Sequence, residues 1–122
     1  MKKVFLAAAI VCSIASFSLL NEQPLENTKW QGSVNVPAPI EAVFEFKKDT
    51  FLLYIDGQVF ETMLYKVSAD TLRVEKLDGN SPCNDEAAFY NFSIKENKLY
   101  LKATNDPCSV RASAFGEFYT KL

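Results

Sequence analysis

Cys83 and Cys108 each follow a proline, in Ser81-Pro82-Cys83 and Asp106-Pro107-Cys108. What two such thiols do depends on the compartment that holds them. Met1-Lys2-Lys3 is a short basic segment, and Val4 to Cys12 is an apolar run too short to span a bilayer. Ser13-Ile14-Ala15, with Ser16-Phe17-Ser18 as an alternative, offers small residues to a signal peptidase. Residues 1–20 therefore read as a secretory signal peptide, which places the chain in the cell envelope, the periplasm or the medium. Thiols oxidise there, so Cys83 and Cys108 are expected to form one disulfide that clamps two loops. Closing a loop of that length contributes roughly 3 kcal/mol. Cys12 falls in the apolar run, and Val11 before it is not the small residue that a lipid-anchoring cysteine wants. It reads as apolar filler rather than an anchor point.

The other reactive side chains are few. The chain has no histidine. That removes Ser-His-Asp and Cys-His catalysis, the commonest general base and most zinc and haem sites. Four scattered glycines form no phosphate-cradling loop. An enzyme would have to work with carboxylates, tyrosines and lysines, and neither catalysis nor a cofactor is expected. Asp78-Gly79-Asn80-Ser81 and Asn84-Asp85-Glu86 gather oxygen ligands in one loop, but their spacing fits no calcium loop. Turn chemistry, with Asn and Asp bonding their own backbone, explains them better. Glu61 alternates with Val59, Met63 and Tyr65. Facing inward it would be a buried carboxylate, costly unless hydrogen-bonded and able to orient a ligand's polar group. An outward or wet position is the expectation.

Charge narrows the partners. Of thirteen basic residues two are Lys2 and Lys3, and without them eleven stand against fifteen acidic ones, a net of −4. No basic stripe with interleaved aromatics exists, so nucleic acid is not an expected partner. No later stretch is apolar and long enough to be transmembrane. Residues 21–27 are polar and contain Pro24, and they read as a flexible leader. Residues 28–122 make one domain with one modest core, of a size that a covalent staple helps.

The elements that must hold these residues are strands. Short apolar-periodic runs alternate with turn signals every eight to twelve residues. Thr28 to Asn35 is the first, and Val36-Pro37-Ala38-Pro39 interrupts it because proline cannot donate to a ladder. Ile40 to Lys47 alternates, with Ala42, Phe44 and Phe46 on one face and Glu41, Val43 and Glu45 on the other. Thr50 to Ile55 follows. Asp56-Gly57 then marks a tight hairpin, since such turns need a positive φ. Gln58 to Val67, Asp70 to Leu77, Ala88 to Lys95, Lys98 to Thr104 and Ala112 to Lys121 complete eight strands, with no helix. Eight sequential strands on short connections predict an all-β, eight-stranded antiparallel up-and-down barrel, whose closure hides its edges.

Ten phenylalanines and five tyrosines supply the interior. Phe44, Phe46, Tyr54, Tyr65, Tyr90, Phe92 and Phe118 are assigned inward, and a mostly filled core is expected over a roomy cavity. If a pocket exists, Tyr54, Met63, Tyr65 and Tyr90 are its expected lining, with Phe44, Phe46 and Phe92 completing the candidate ligand-binding set. Phe89, Tyr100 and Phe115 have the parity to face outward.

Leu25-Glu26-Asn27-Thr28-Lys29-Trp30-Gln31-Gly32 is similar to the opening strand of lipocalin-like, calycin-type barrels, with a tryptophan beside a glycine. The later pattern, Pro82-Cys83, Tyr90-x-Phe92-x-Ile94, Asn97-x-Leu99-x-Leu101 and Asp106-Pro107-Cys108-x-x-Arg111, resembles small secreted bacterial lipocalin-like proteins. One departure is Ala87-Ala88-Phe89, where those proteins have a glycine before the Tyr-x-Phe strand. The resemblance implies that Arg111 packs on Trp30 as a cation–π pair closing one barrel end. It also implies a monomer that takes a small hydrophobic ligand at the other end. The alternative is a cell-envelope interaction or inhibitor module that uses the disulfide-clamped loops Asp78 to Glu86 and Asn105 to Val110, with Phe89, Tyr100 and Phe115 as outer contacts. A carboxylate enzyme, the third option, requires two acidic residues facing each other in a pocket.

Overall fold

Inward and outward side chains alternate along nearly every strand, and that alternation closes the sheet into a barrel. The computed structural model describes residues 24–84 and 86–122. The strands are β1 (Thr28–Asn35), β2 (Pro39–Phe46), β3 (Thr50–Ile55), β4 (Gln58–Ser68), β5 (Thr71–Gly79), β6 (Ala88–Lys95), β7 (Lys98–Asn105) and β8 (Phe118–Lys121). Each pairs antiparallel with the next, and β8 returns to β1, giving a closed eight-stranded up-and-down barrel. The hairpin at Asp56-Gly57 has positive φ at both residues, as expected. The expected segment 1–20 and residues 21–23 lie outside the described residues.

Three boundaries differ from the sequence reading by more than one residue. Leu25 is fully buried within the core, and Asn27 N–H donates to Phe46 O at 2.8 Å. The domain thus begins ahead of Thr28, inside the segment read as a leader. At the other end, Ala112 to Gly116 is not strand. Residues Ser109–Ala112 form a single helical turn, α1, in which Ala112 N–H donates to Cys108 O and Ser113 N–H to Ser109 O. Strand β8 shrinks to Phe118–Lys121. On that turn Arg111 reaches inward to the buried Asp106 side chain. Third, β5 runs on to Gly79 through a bulge at Thr62/Met63.

The interior is a column of rings. Phe46 stacks on Phe51 at 4.4 Å, Tyr65 meets Phe46 edge-on at 5.1 Å, and Phe44 touches Phe51, Tyr119 and Phe115 at 5.0, 4.2 and 5.6 Å. Edge-to-face and offset ring pairs add to the burial energy of such a core. Phe115, read as outward, packs inward through a lone bridge to Val34 and lies 5.2 Å from Tyr90. Tyr119 is fully buried where Phe118 was expected, and Phe118 is exposed. The Tyr119 hydroxyl donates to Ser33 O at 2.9 Å and accepts from Gly116 N–H at 2.7 Å. Phe118 lies beneath Lys98 Nζ at 4.7 Å and beside Tyr100 at 5.9 Å, on the outer face.

The end of the barrel near Leu25 and Trp30 is filled. Trp30 Nε1 donates to Thr28 Oγ1 at 2.8 Å, and Thr28 Oγ1 donates to Leu25 O at 2.5 Å. The expected stack of Arg111 on Trp30 does not form. Trp30 pairs with Lys121 at the finish of β8, whereas Arg111 precedes the start of β8. The two therefore belong to opposite ends, and the guanidinium is taken by Asp106 instead.

Candidate functional site

The mouth at that second end is built from β-strand termini and two loops that a disulfide joins. Cys83 and Cys108 are bonded, with their Cα atoms 5.5 Å apart. The bond ties the loop after β5 to the segment that opens α1. Lys76 pins the first loop: its Nζ donates to Ser81 O at 2.7 Å and Cys83 O at 3.2 Å.

The second loop is organised around a buried acid. Asp106 Oδ1 accepts from Cys108 N–H at 2.9 Å, a short-range turn that aspartate favours. Arg111 then donates to Asp106 twice, from Nε at 2.8 Å and from Nη2 at 2.9 Å, while Nη2 also reaches Glu86 O at 3.3 Å. The Tyr90 hydroxyl donates to Asp106 Oδ2. Burial alone would raise the Asp106 pKa, but the hydrogen bonds from Arg111, Tyr90 and Cys108 outweigh it and hold the carboxyl below its usual range. Burial likewise works against the Arg111 charge, and Asp106 more than restores it. The Tyr90 phenol is pushed up, first by burial and then by its bond to Asp106. Arg111 Nη1, on the edge of the fork away from Asp106, is buried without a partner among the described residues.

Glu61 is the surprise of the site. It is 3% exposed, inward-facing and part of the mouth wall, contrary to the outward or wet position expected. Ser81 N–H donates to its Oε1 at 3.1 Å and Ser81 Oγ to its Oε2 at 2.5 Å. The loop thus supplies the hydrogen bonds that a buried carboxylate needs. Gly79 makes room for it: at φ +146° it adopts a backbone most side chains avoid, and a Cβ there would sit 2.8 Å from Glu61 Cα. A bulge lets Glu61 point in while Val59 points out. Leu53 pairs with Glu61 and Tyr54 with Val59, leaving Phe60 as the extra residue, turned to the mouth.

Between these parts lies a cavity of about 110 Å³. Val34, Leu53, Met63, Phe60 and Phe115 give it an almost wholly apolar wall, and Glu61 and Arg111 are its charged members. Of the candidate ligand-binding set, Met63 alone lines it. Phe44, Phe46, Tyr65, Tyr90 and Phe92 are core residues packed beneath it or toward the filled end. Tyr54 does not face the interior at all. Its hydroxyl donates to Glu45 Oε1 at 2.9 Å on the outer face, and that bond, with burial behind it, raises its pKa. The parity of Glu61 with Met63 and Tyr65 was the legible signal for the site. Leu53 was legible too, in period two with Phe51, while Phe115 carried no signal because its place depends on a lone bridge.

No group of three or more His, Cys, Asp or Glu side chains that could hold a metal forms among the described residues. No protein-family model, curated protein or solved structure matches this chain.

Proposed function

We propose that this is a secreted, non-catalytic, lipocalin-like barrel that receives a small, largely apolar molecule at its mouth. The observation that carries the reading is the cavity itself: apolar, placed at the end opposite the Trp30 plug, and rimmed by two loops that one disulfide holds. Pockets for drug-sized ligands run to about 300–1,000 Å³. A cavity of about 110 Å³ suits something much smaller, of the size of one small ring. The non-catalytic reading is supported by the wall, on which Glu61 is the one carboxylate among the described residues, while Asp106 is locked to Arg111. The secretory signal and the resemblance of Pro82-Cys83 and Asp106-Pro107-Cys108-x-x-Arg111 to small secreted barrels support the compartment and the fold family.

One observation favours the interaction-module reading. Val110 is exposed beside the disulfide, in a polar rim that it shares with Asn84 and Glu86. Native mass spectrometry of mature protein exported to an oxidising compartment separates the two. Extra mass that disappears on denaturation supports the ligand, while the bare disulfide-bonded mass, with the rim capturing a protein partner, supports the module.

A further inference from the structure

A buried guanidinium has five N–H donors to place, and this one leaves a nitrogen over. Asp106 takes Nε and Nη2 side-on, and Glu86 O takes the rest of Nη2. Among the described residues Nη1 is left buried and unpartnered, in a side chain only 6% exposed that forms part of the cavity wall. Buried polar groups in folded proteins are nearly always satisfied, so an orphan donor beside a cavity marks a missing acceptor. We propose that this acceptor is the oxygen of a small, neutral carbonyl compound, whose apolar body fills the cavity between Val34, Leu53, Met63 and Phe115. The proposal rests on the reading of the mouth as a ligand site and names the class of ligand.

Charge selects the neutral oxygen over a carboxylate. The Arg111 charge is already balanced by Asp106, so the cavity has no spare cation to offer. The other charged wall residue is Glu61, satisfied by Ser81 alone and by no cation. A ligand carboxylate would enter beside Glu61 and Asp106 and meet like charge in a poorly solvated place. A carbonyl brings one acceptor for one donor and nothing else that needs a partner. The rest of the wall rewards apolar atoms.

The test uses three probes of similar size on isotopically labelled, disulfide-bonded protein: cyclopentanone, methylenecyclopentane and cyclobutanecarboxylate. Backbone amides of Ser81 and Phe115 and the Arg111 side-chain N–H signals are followed by NMR. Cyclopentanone is expected to bind about tenfold or more tighter than the hydrocarbon, as one hydrogen bond from a charged donor would give. It should shift the Arg111 signal, and the carboxylate should bind weakest. Glu61→Gln should narrow the gap between ketone and carboxylate. Equal binding of the hydrocarbon, tighter binding of the carboxylate, or ketone binding that leaves Arg111 unmoved overturns the carbonyl assignment while the mouth remains a ligand site. If none of the three perturbs the mouth, the ligand-site reading falls as well.

Discussion

Asp106 and Arg111, five residues apart, face each other across the cysteine that closes the disulfide, joined by two hydrogen bonds of 2.8 and 2.9 Å. Both side chains are buried, so removing one partner strands the other's charge. Asp106→Asn keeps the shape and removes the charge, and is expected to cost about 3–5 kcal/mol in urea unfolding. Because the native Asp106 pKa is depressed, its contribution is whole above the ordinary carboxylate pKa near 3.8 and fades as pH falls through the lower native value. The variant should lose this acid limb. A cost under about 1 kcal/mol would mean the pair is only an exposed one.

At alkaline pH the tyrosines take over. Burial pushes Tyr65 and Tyr119 from the usual 10.0 up to about 12, with the charges of Glu26 and Asp49 adding at Tyr65. The native state then holds phenol protons that the unfolded chain has released. Stability from each is whole below pH 10 and is lost as pH rises through 12, on the order of 2 kcal/mol per residue. Urea midpoints at pH 9, 10.5 and 11.5 should fall in that order. A flat profile would place these hydroxyls in water.

Leu25 belongs to the domain. Leu25→Ala should destabilise by about 2–5 kcal/mol, the range for emptying a buried leucine site. A chain beginning at Thr28 should be less stable than one beginning at Glu22. Tyr54→Phe serves as the surface control and should change stability by less than about 1 kcal/mol. Equal stability of the two truncations would return Leu25 to the leader.

The disulfide holds both walls of the mouth. Replacing Cys83 and Cys108 together by serine should cost about 3 kcal/mol, visible as a lower thermal midpoint in the oxidised state. The aromatic column at the other end has no link to that bond and should keep its near-ultraviolet dichroism in the folded variant. An unchanged midpoint would show that the loops are held by Lys76 and Arg111 without it.

The barrel was legible because period two is a local property. Ala42, Phe44 and Phe46 face in where their alternation says they should, and Asp56-Gly57 turns where glycine allows. The mouth was less legible because it depends on where the alternation breaks. One extra residue, Phe60, flips Val59 outward, whereas Tyr54 lies on the outer face by plain alternation with the buried Phe51 and Leu53. Near the end of the chain, Ala112 to Lys121 reads as one strand, yet α1 takes its start and β8 begins only at Phe118, with Tyr119 rather than Phe118 pointing in. Glu61 had the right parity, but no sequence pattern says that Ser81, twenty residues on, will supply its hydrogen bonds.

Every strand pairing but one joins neighbours in the chain. Only β1 and β8 must meet from afar, and their ladder registers two residue pairs, Trp30 with Lys121 and Gln31 with Thr120. Seven hairpin ladders can form early from local encounters, whereas this seam waits for loop closure across the whole domain. The seam is then the last contact made and the first lost. Substitutions at Gln31 and Thr120 should speed unfolding and leave the folding rate nearly untouched, giving φ-values near zero. Values near one would mean that the ring closes before its sides are built.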